Sequence, residues 1–305
     1  MIGRRQEVWR MGIPGLVAFV GALTWGSSDA RSQSGIMEAR SKPVAKAGTD
    51  LATDEPGVLV SRALQEDATV NEAAIQDLRK HGPDAVKFLM SQPELRTSSR
   101  WSIVLDAVAQ QKDAEYSGLY WFTDLEQALA VAKREKKPVL SLRLLGKLTD
   151  ELSCANSRFF RTTLYPNSSV RDLLTSHFVL HWQSVRAVPI ITIDFGDGRQ
   201  IRRTITGNSL HLVLDEHGRP IDILPGLYAS ATFVRELRQS GAAAVQMAGL
   251  DGDEFLLRRS AYHNDRLQAL QQTWDDHCRQ ANLSASLSLG VDHQQDVWTK
   301  VASLA

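Results

Sequence analysis

At 305 residues the chain is long enough for one generous domain with extensions, or for two small ones. Its 35 lysines and arginines balance 35 aspartates and glutamates, so no basic footprint of the kind that nucleic-acid binding needs is present, and that partner class is excluded. Two cysteines, Cys154 and Cys278, are too few for a disulfide scaffold or a four-cysteine zinc site.

In chain order, Arg4, Arg5 and Arg10 precede an uncharged run from Met11 to Ser28, and small residues at Ser28 and Ala30 occupy the positions a signal peptidase reads. Residues 1–30 therefore read as an export signal, with an uncleaved N-terminal anchor as the alternative; Gly12, Pro14, Gly15 and Gly21 make the run a poor spanning helix. Export implies a periplasmic or other extracytoplasmic protein, and contact with a membrane is expected only through that segment if it is retained. Residues 31–55 are rich in Ser, Ala, Asp, Lys and Gly with no apolar period, as in a flexible linker.

From Val58 the apolar residues take a helical period. Ala74, Ile75 and Leu78 share one face, and Trp101, Val104, Leu105 and Val108 follow the i, i+3, i+4, i+7 spacing of a buried stripe. Gly82-Pro83 and Pro93 punctuate these segments, so residues 56–114 are expected to form a cap of three or four helices.

Thr123 and Glu126 have the spacing of a capping box before a helix whose Leu125, Ala128, Leu129 and Ala132 share a face. Lys133, Arg134, Lys136 and Lys137 gather where the helix dipole favours cations, and Pro138 stops the helix. Strands are expected over 139–145, 178–185, 190–195, 199–205, 210–214 and 220–224. The third and fourth turn at Gly196-Asp197-Gly198, the last two at Asp215-Glu216-His217-Gly218. One helix begins near Cys154 and another runs from Ser230 to Gln239. A long helix over 253–280 places Leu267, Leu270, Trp274 and Cys278 on one stripe, expected to pack on the core.

The order of a capped helix, a strand, a cysteine-bearing helix, a second strand, then a hairpin and a closing helix resembles the thioredoxin-like fold, in particular its exported bacterial branch. The resemblance covers residues 116–240. It implies an α/β class with a central mixed sheet flanked by helices, occupying 115–240 between the helical cap and a helical C-terminal extension, 241–305. Carried over by position, Cys154 takes the place of the attacking cysteine, Ser157 that of the resolving one, and the loop Gly207-Asn208-Ser209 that of the cis-proline loop. Three departures count against dithiol exchange: Ser157 is no cysteine, Ser209 is no proline, and the loop from Gly146 to Cys154 is long. A hairpin containing Asp194 to Arg199 also stands where the family has a helix. No cofactor is called for.

A thiolate at a helix start is stabilised by the dipole and by free backbone N–H groups. Ser153 is the expected cap, Ser157 a candidate hydrogen-bond donor to the sulfur, and Arg143 a nearby positive charge. With one cysteine the available chemistry is a mixed disulfide or a sulfenic acid resolved by an outside thiol. The contrasting reading is a small buried residue in a domain that binds a polypeptide or envelope partner through its groove, with Asn208 and Ser209 shaping the contact. A Cys154–Cys278 bridge is left open but not favoured, because Cys278 falls on an apolar stripe with Trp274. Gly207-Asn208-Ser209-Leu210-His211 lacks the final glycine and following helix of a hydrolase nucleophile elbow. His177 and His181, four apart at a strand, form no metal-binding helix face, and Asp194 with Asp197 reads as a hairpin turn.

Overall fold

A computed structural model of the chain describes residues 55–282. The signal or anchor at 1–30, almost all of the linker and the end of the C-terminal extension lie outside those residues. The cap begins with α1 (Pro56–Ala63), α2 (Ala68–Lys80) and α3 (Pro83–Met90). Proline opens α1 and α3, where a missing N–H costs nothing. The Asp67 carboxylate caps α2 by accepting the N–H groups of Thr69 and Val70. A 3-10 turn (Pro93–Thr97), α4 (Trp101–Ala109) and the single turn α5 (Ala114–Ser117) complete it, one short helix more than the periodicity predicts.

The α/β part follows as α6 (Leu125–Glu135), β1 (Val139–Leu145) and α7 (Ala155–Phe159), which continues through a π-helical turn, Phe160–Leu164. Then come α8 (Ser168–His177), β2 (Val179–Arg186), β3 (Ile190–Asp194), β4 (Gln200–Thr204), β5 (Ser209–Leu214), β6 (Pro220–Pro225) and α9 (Ser230–Met247). The cap of α6 is Asp124, whose carboxylate accepts the Gln127 N–H at 3.1 Å; the expected Thr123 lies one residue too early. The main sheet has the order β2-β1-β5-β6, with β1 and β2 parallel and the other pairs antiparallel. This is the mixed sheet flanked by helices expected of a thioredoxin-like α/β fold.

Alternation along the central strand divides the core in two. Leu140, Leu142 and Leu144 pack with Phe160, Leu164, Tyr165 and Phe233 beneath α7, α8 and α9. Val139, with Val179 and Leu214 on its neighbours, packs against Ala128 and Ala132 of α6 and against Leu59, Leu78, Leu89 and Leu105 of the cap. Cap and sheet thus share a core, and the described residues belong to one compact unit. Hydrogen bonds cross the join: Arg79 donates to the Val108 and Trp121 carbonyls, and the buried Trp121 indole N–H to Gln111 Oε1 at 2.7 Å.

The boundary expected at 240 falls inside α9, which runs seven residues further. The tail helix α10 (Gly252–Gln280) packs on β6 and α9 through Phe255, Tyr262 and Arg266, and of the predicted stripe Cys278 is buried. Phe255 is buried under the Arg219 guanidinium, 3.8 Å from its ring centre, while Tyr262 and Arg266 bond Asp222 at 2.7 and 2.9 Å and Arg266 also reaches Glu236. Leu270 and Trp274 remain exposed. Among the described residues no helix is long and apolar enough to cross a membrane.

Candidate functional site

Beyond β1 the chain turns at Gly146, whose N–H bonds the Arg186 carbonyl at 2.8 Å. Its φ is +75°, and a Cβ there would meet Val188 Cγ1 at 3.1 Å. The loop then delivers Cys154 to the start of α7. Cys154, not Ser153, is the cap: its Sγ accepts the Ser157 N–H at 3.4 Å. The thiol lies 3.8 Å from the Asn208 carbonyl, to which it donates. The contact with Ser157 is thus through its backbone, and the hydroxyls of Ser153 and Ser157 are buried without a partner among the described residues.

Three side chains close the site. Asn156 Nδ2 donates to Ser209 Oγ at 2.9 Å, and Arg158 donates to both the Ser153 carbonyl and Thr204 Oγ1, at 2.9 and 2.8 Å. Thr204 donates in turn to the Ser153 carbonyl at 3.2 Å. The strand end at 204–209 is therefore strapped over the helix start, and Cys154 is 0% exposed. The strap needs a glycine: a Cβ at Gly207 would stand 2.5 Å from Asn156 Oδ1. Gly207→Ala is expected to cost about 1–3 kcal/mol in urea denaturation, as overpacking does. Because the closest contacts are with the Asn156 side chain, with the Asn156 backbone nitrogen next at 3.3 Å, Gly207→Ala combined with Asn156→Ala should cost less than the two changes added, and strict additivity would refute this account of the glycine.

The structure brings Cys154, Ser157, Asn208 and Ser209 together and leaves Arg143 apart. In the β1–β5 register Leu142 faces His211 and Leu144 faces Ser209, so these side chains share the α7 side of the sheet. Arg143, one residue out of phase, lies on the other face beside His181. Its charge is the second cause, after burial, holding that imidazole down at about 4. The His181 Nδ1 shares a 2.8 Å hydrogen bond with Ser141 Oγ, both side chains sealed from solvent. His177, by contrast, is exposed at the end of α8.

His211 sits between Phe160 and Phe233, and burial lowers its pKa to about 3. The same burial raises Tyr165 well above the usual tyrosine range, so Tyr165 keeps its proton, and its hydroxyl shares a 2.8 Å hydrogen bond with His211 Nε2. The other ring nitrogen, Nδ1, is buried without a partner among the described residues. Since His211 is bonded to Tyr165 and Ser209 Oγ to Asn156, the two form no nucleophile–base pair. An inward-facing histidine in the alternating β5 strand was the sequence signal for this buried pair; its tyrosine partner, 46 residues earlier, had none.

Both cysteines are free and buried. Asp194 and Asp197 serve the hairpin turn as predicted: Asp194 accepts the Gly196 N–H and the Gln200 amide, and Asp197 accepts the Arg199 N–H. The hairpin itself is an independent two-stranded sheet with one apolar face. Register places Ile191, Ile193, Ile201 and Arg203 on that face, continued by Ile205 and by the turn pair Phe195 and Arg199, whose guanidinium lies 5.3 Å from the Phe195 ring centre. Ile193, Phe195 and Ile205 are 45%, 51% and 61% exposed. A cavity of about 90 Å³ lies elsewhere, between cap and sheet, lined by Gly118, Tyr120, Phe122, Val131 and Phe178. Comparison with protein-family models and with curated proteins returns no match.

Proposed function

We propose that this chain is an exported thioredoxin-like protein that binds an extended polypeptide or envelope partner beside a sealed thiol, without dithiol exchange. One observation carries the reading: next to the strapped Cys154 the surface is an exposed apolar sheet face, Ile191, Ile193, Phe195, Ile201 and Ile205, larger than the scattered apolar residues of an ordinary surface. The occupied sulfur and the serine at the second position of the motif argue in the same direction. Export rests on the pattern of residues 1–30.

The test uses an unfolded polypeptide whose cysteines are blocked by carboxymethylation, so that no covalent capture can occur. The native protein and Cys154→Ser are expected to bind it equally, and Ile193→Ser combined with Phe195→Ser to bind it about tenfold or more weakly, since each substitution removes one large apolar contact. Equal binding by all three would sink the reading. A second reading, a single-cysteine thiol protein, is favoured by the placement of Sγ against the Asn208 carbonyl in the loop where a partner chain lies in the fold it resembles. It requires capture that depends on Cys154 and on a free thiol in the partner.

A further inference from the structure

The backbone of the hairpin carries a second message, separate from its apolar face. Phe195 N–H bonds the Arg199 carbonyl, which makes that pair a hydrogen-bonded one. Alternation along an antiparallel ladder then makes Ile193–Ile201 and Ile191–Arg203 hydrogen-bonded as well, and turns the N–H and C=O groups of the residues between them outward. On β3 the outward residues are Ile190, Thr192 and Asp194; on β4 they are Gln200, Arg202 and Thr204.

The two outer edges differ. On β4 the outward carbonyl of Arg202 is taken by the guanidinium of Arg203 at 2.9 Å, and the arginines blunt that edge as charged side chains commonly do. On β3 no hydrogen bond among the described residues reaches the outward groups of Ile190, Thr192 or Asp194. Residues 190–193 carry no charge, and the one acid, Asp194, is held by the turn. Two strands alone make a marginal sheet, which a third and fourth strand would complete.

The outward residues of β3 are centred on the uncharged Thr192 with their single acid at one end, so this edge can meet its own copy without a like-charge contact. A twofold axis through Thr192 sets two antiparallel β3 strands edge to edge, with Thr192 opposite Thr192, Ile190 opposite Asp194 and Ile191 opposite Ile193 of the second copy. Every outward N–H and C=O of β3 gains a partner, and no like charges meet. The same operation on β4 would set Arg202 against its own copy. We propose that two copies of this chain pair through the β3 edges into a four-stranded sheet, β4-β3-β3-β4, whose apolar faces join into one surface and whose outer edges are the arginine-bearing β4 strands.

Sedimentation of the full chain over a dilution series, together with charge variants at the axis, tests the pairing. The native chain is expected to be a dimer at the upper end of the series. Thr192→Lys and Thr192→Glu, each setting like charges opposite one another, should weaken self-association about tenfold or more. Mixing the two variants in equal amounts should restore a heterodimer, which no folding defect would permit. Arg202→Glu, on the other edge, should leave the dimer intact. A native chain that stays monomeric throughout overturns the proposal, as do a dimer that both Thr192 variants leave unchanged, a loss that mixing does not restore, or a dimer that Arg202→Glu abolishes. The Ile193→Ser and Phe195→Ser substitutions read the polypeptide face and leave the edge backbone in place, so the two proposals fail separately.

Discussion

Acidification from pH 7 to pH 4 is expected to remove on the order of 6 kcal/mol of folding stability through His211 and His181 alone, enough to unfold a domain of ordinary stability. Both imidazoles are held neutral by burial, at about 3 and about 4 against 6.5 for a free histidine. The unfolded chain therefore takes up protons near pH 6.5 that the folded chain refuses. Stability from each residue is fully present above pH 6.5 and declines as pH falls, by about 1.4 kcal/mol per pH unit, until the folded value is reached. By pH 4 each has lost about 3 kcal/mol on that slope. Urea denaturation at stepped pH should show it. His211→Gln keeps an acceptor for the Tyr165 hydroxyl, and His181→Asn keeps a polar atom near Ser141; each should flatten the profile by about one proton. A double variant with the native slope between pH 6 and pH 4 would assign the acid sensitivity to the carboxylates instead.

Most of the strand pattern could be read in the sequence because alternation and turn residues are local. Val139 to Leu145 is a near-continuous apolar run, as a strand buried on both faces should be, and its bounds agree with the structure. The misplacements each involve a partner far along the chain. Alternation shows that Arg143 differs in face from Leu142 and Leu144, but only the pairing of Leu142 with His211 decides which face meets Cys154. Ser153 has the better capping side chain, yet its carbonyl is claimed by Arg158 and Thr204, and the cap moves on to Cys154. The helix expected to end at Gln239 runs on through Gly241, where Phe178 leaves no space for a side chain, with its Cζ 2.9 Å from where a Cβ would lie. The tail stripe failed at its centre for a similar reason, since the Asp222–Arg266–Glu236 contacts orient α10 by charge and leave Leu270 and Trp274 in solvent, while Cys278 at its end is buried as expected. For the site, the sequence located Cys154, Ser157, Asn208 and Ser209, but the strap that seals them joins positions some 50 residues apart.

Removing the cap should have the largest effect of any change to the described part of the chain. A fragment beginning at residue 115 keeps all six strands and α6 to α10, the whole of the segment that resembles a thioredoxin-like domain. It loses Leu59, Leu78, Leu89, Val104 and Leu105, which cover Tyr120, Phe122, Val139, Val179 and Leu214 on one face of the sheet. Re-exposing those five side chains at about 1.5–3 kcal/mol each comes to on the order of 10 kcal/mol, the scale of a domain's entire stability. The polar ties fail with them: Tyr120 loses its hydrogen bond to the Arg79 carbonyl, and the Trp121 indole, buried in the other core, loses Gln111. The fragment is expected to lack a cooperative thermal transition and to bind a hydrophobic dye, whereas the chain with the cap melts in a single step. A fragment that melts cooperatively within a few degrees of the intact chain would mean that the sheet's second face is adequately covered by α6, and that the cap is an appended module rather than half of the core.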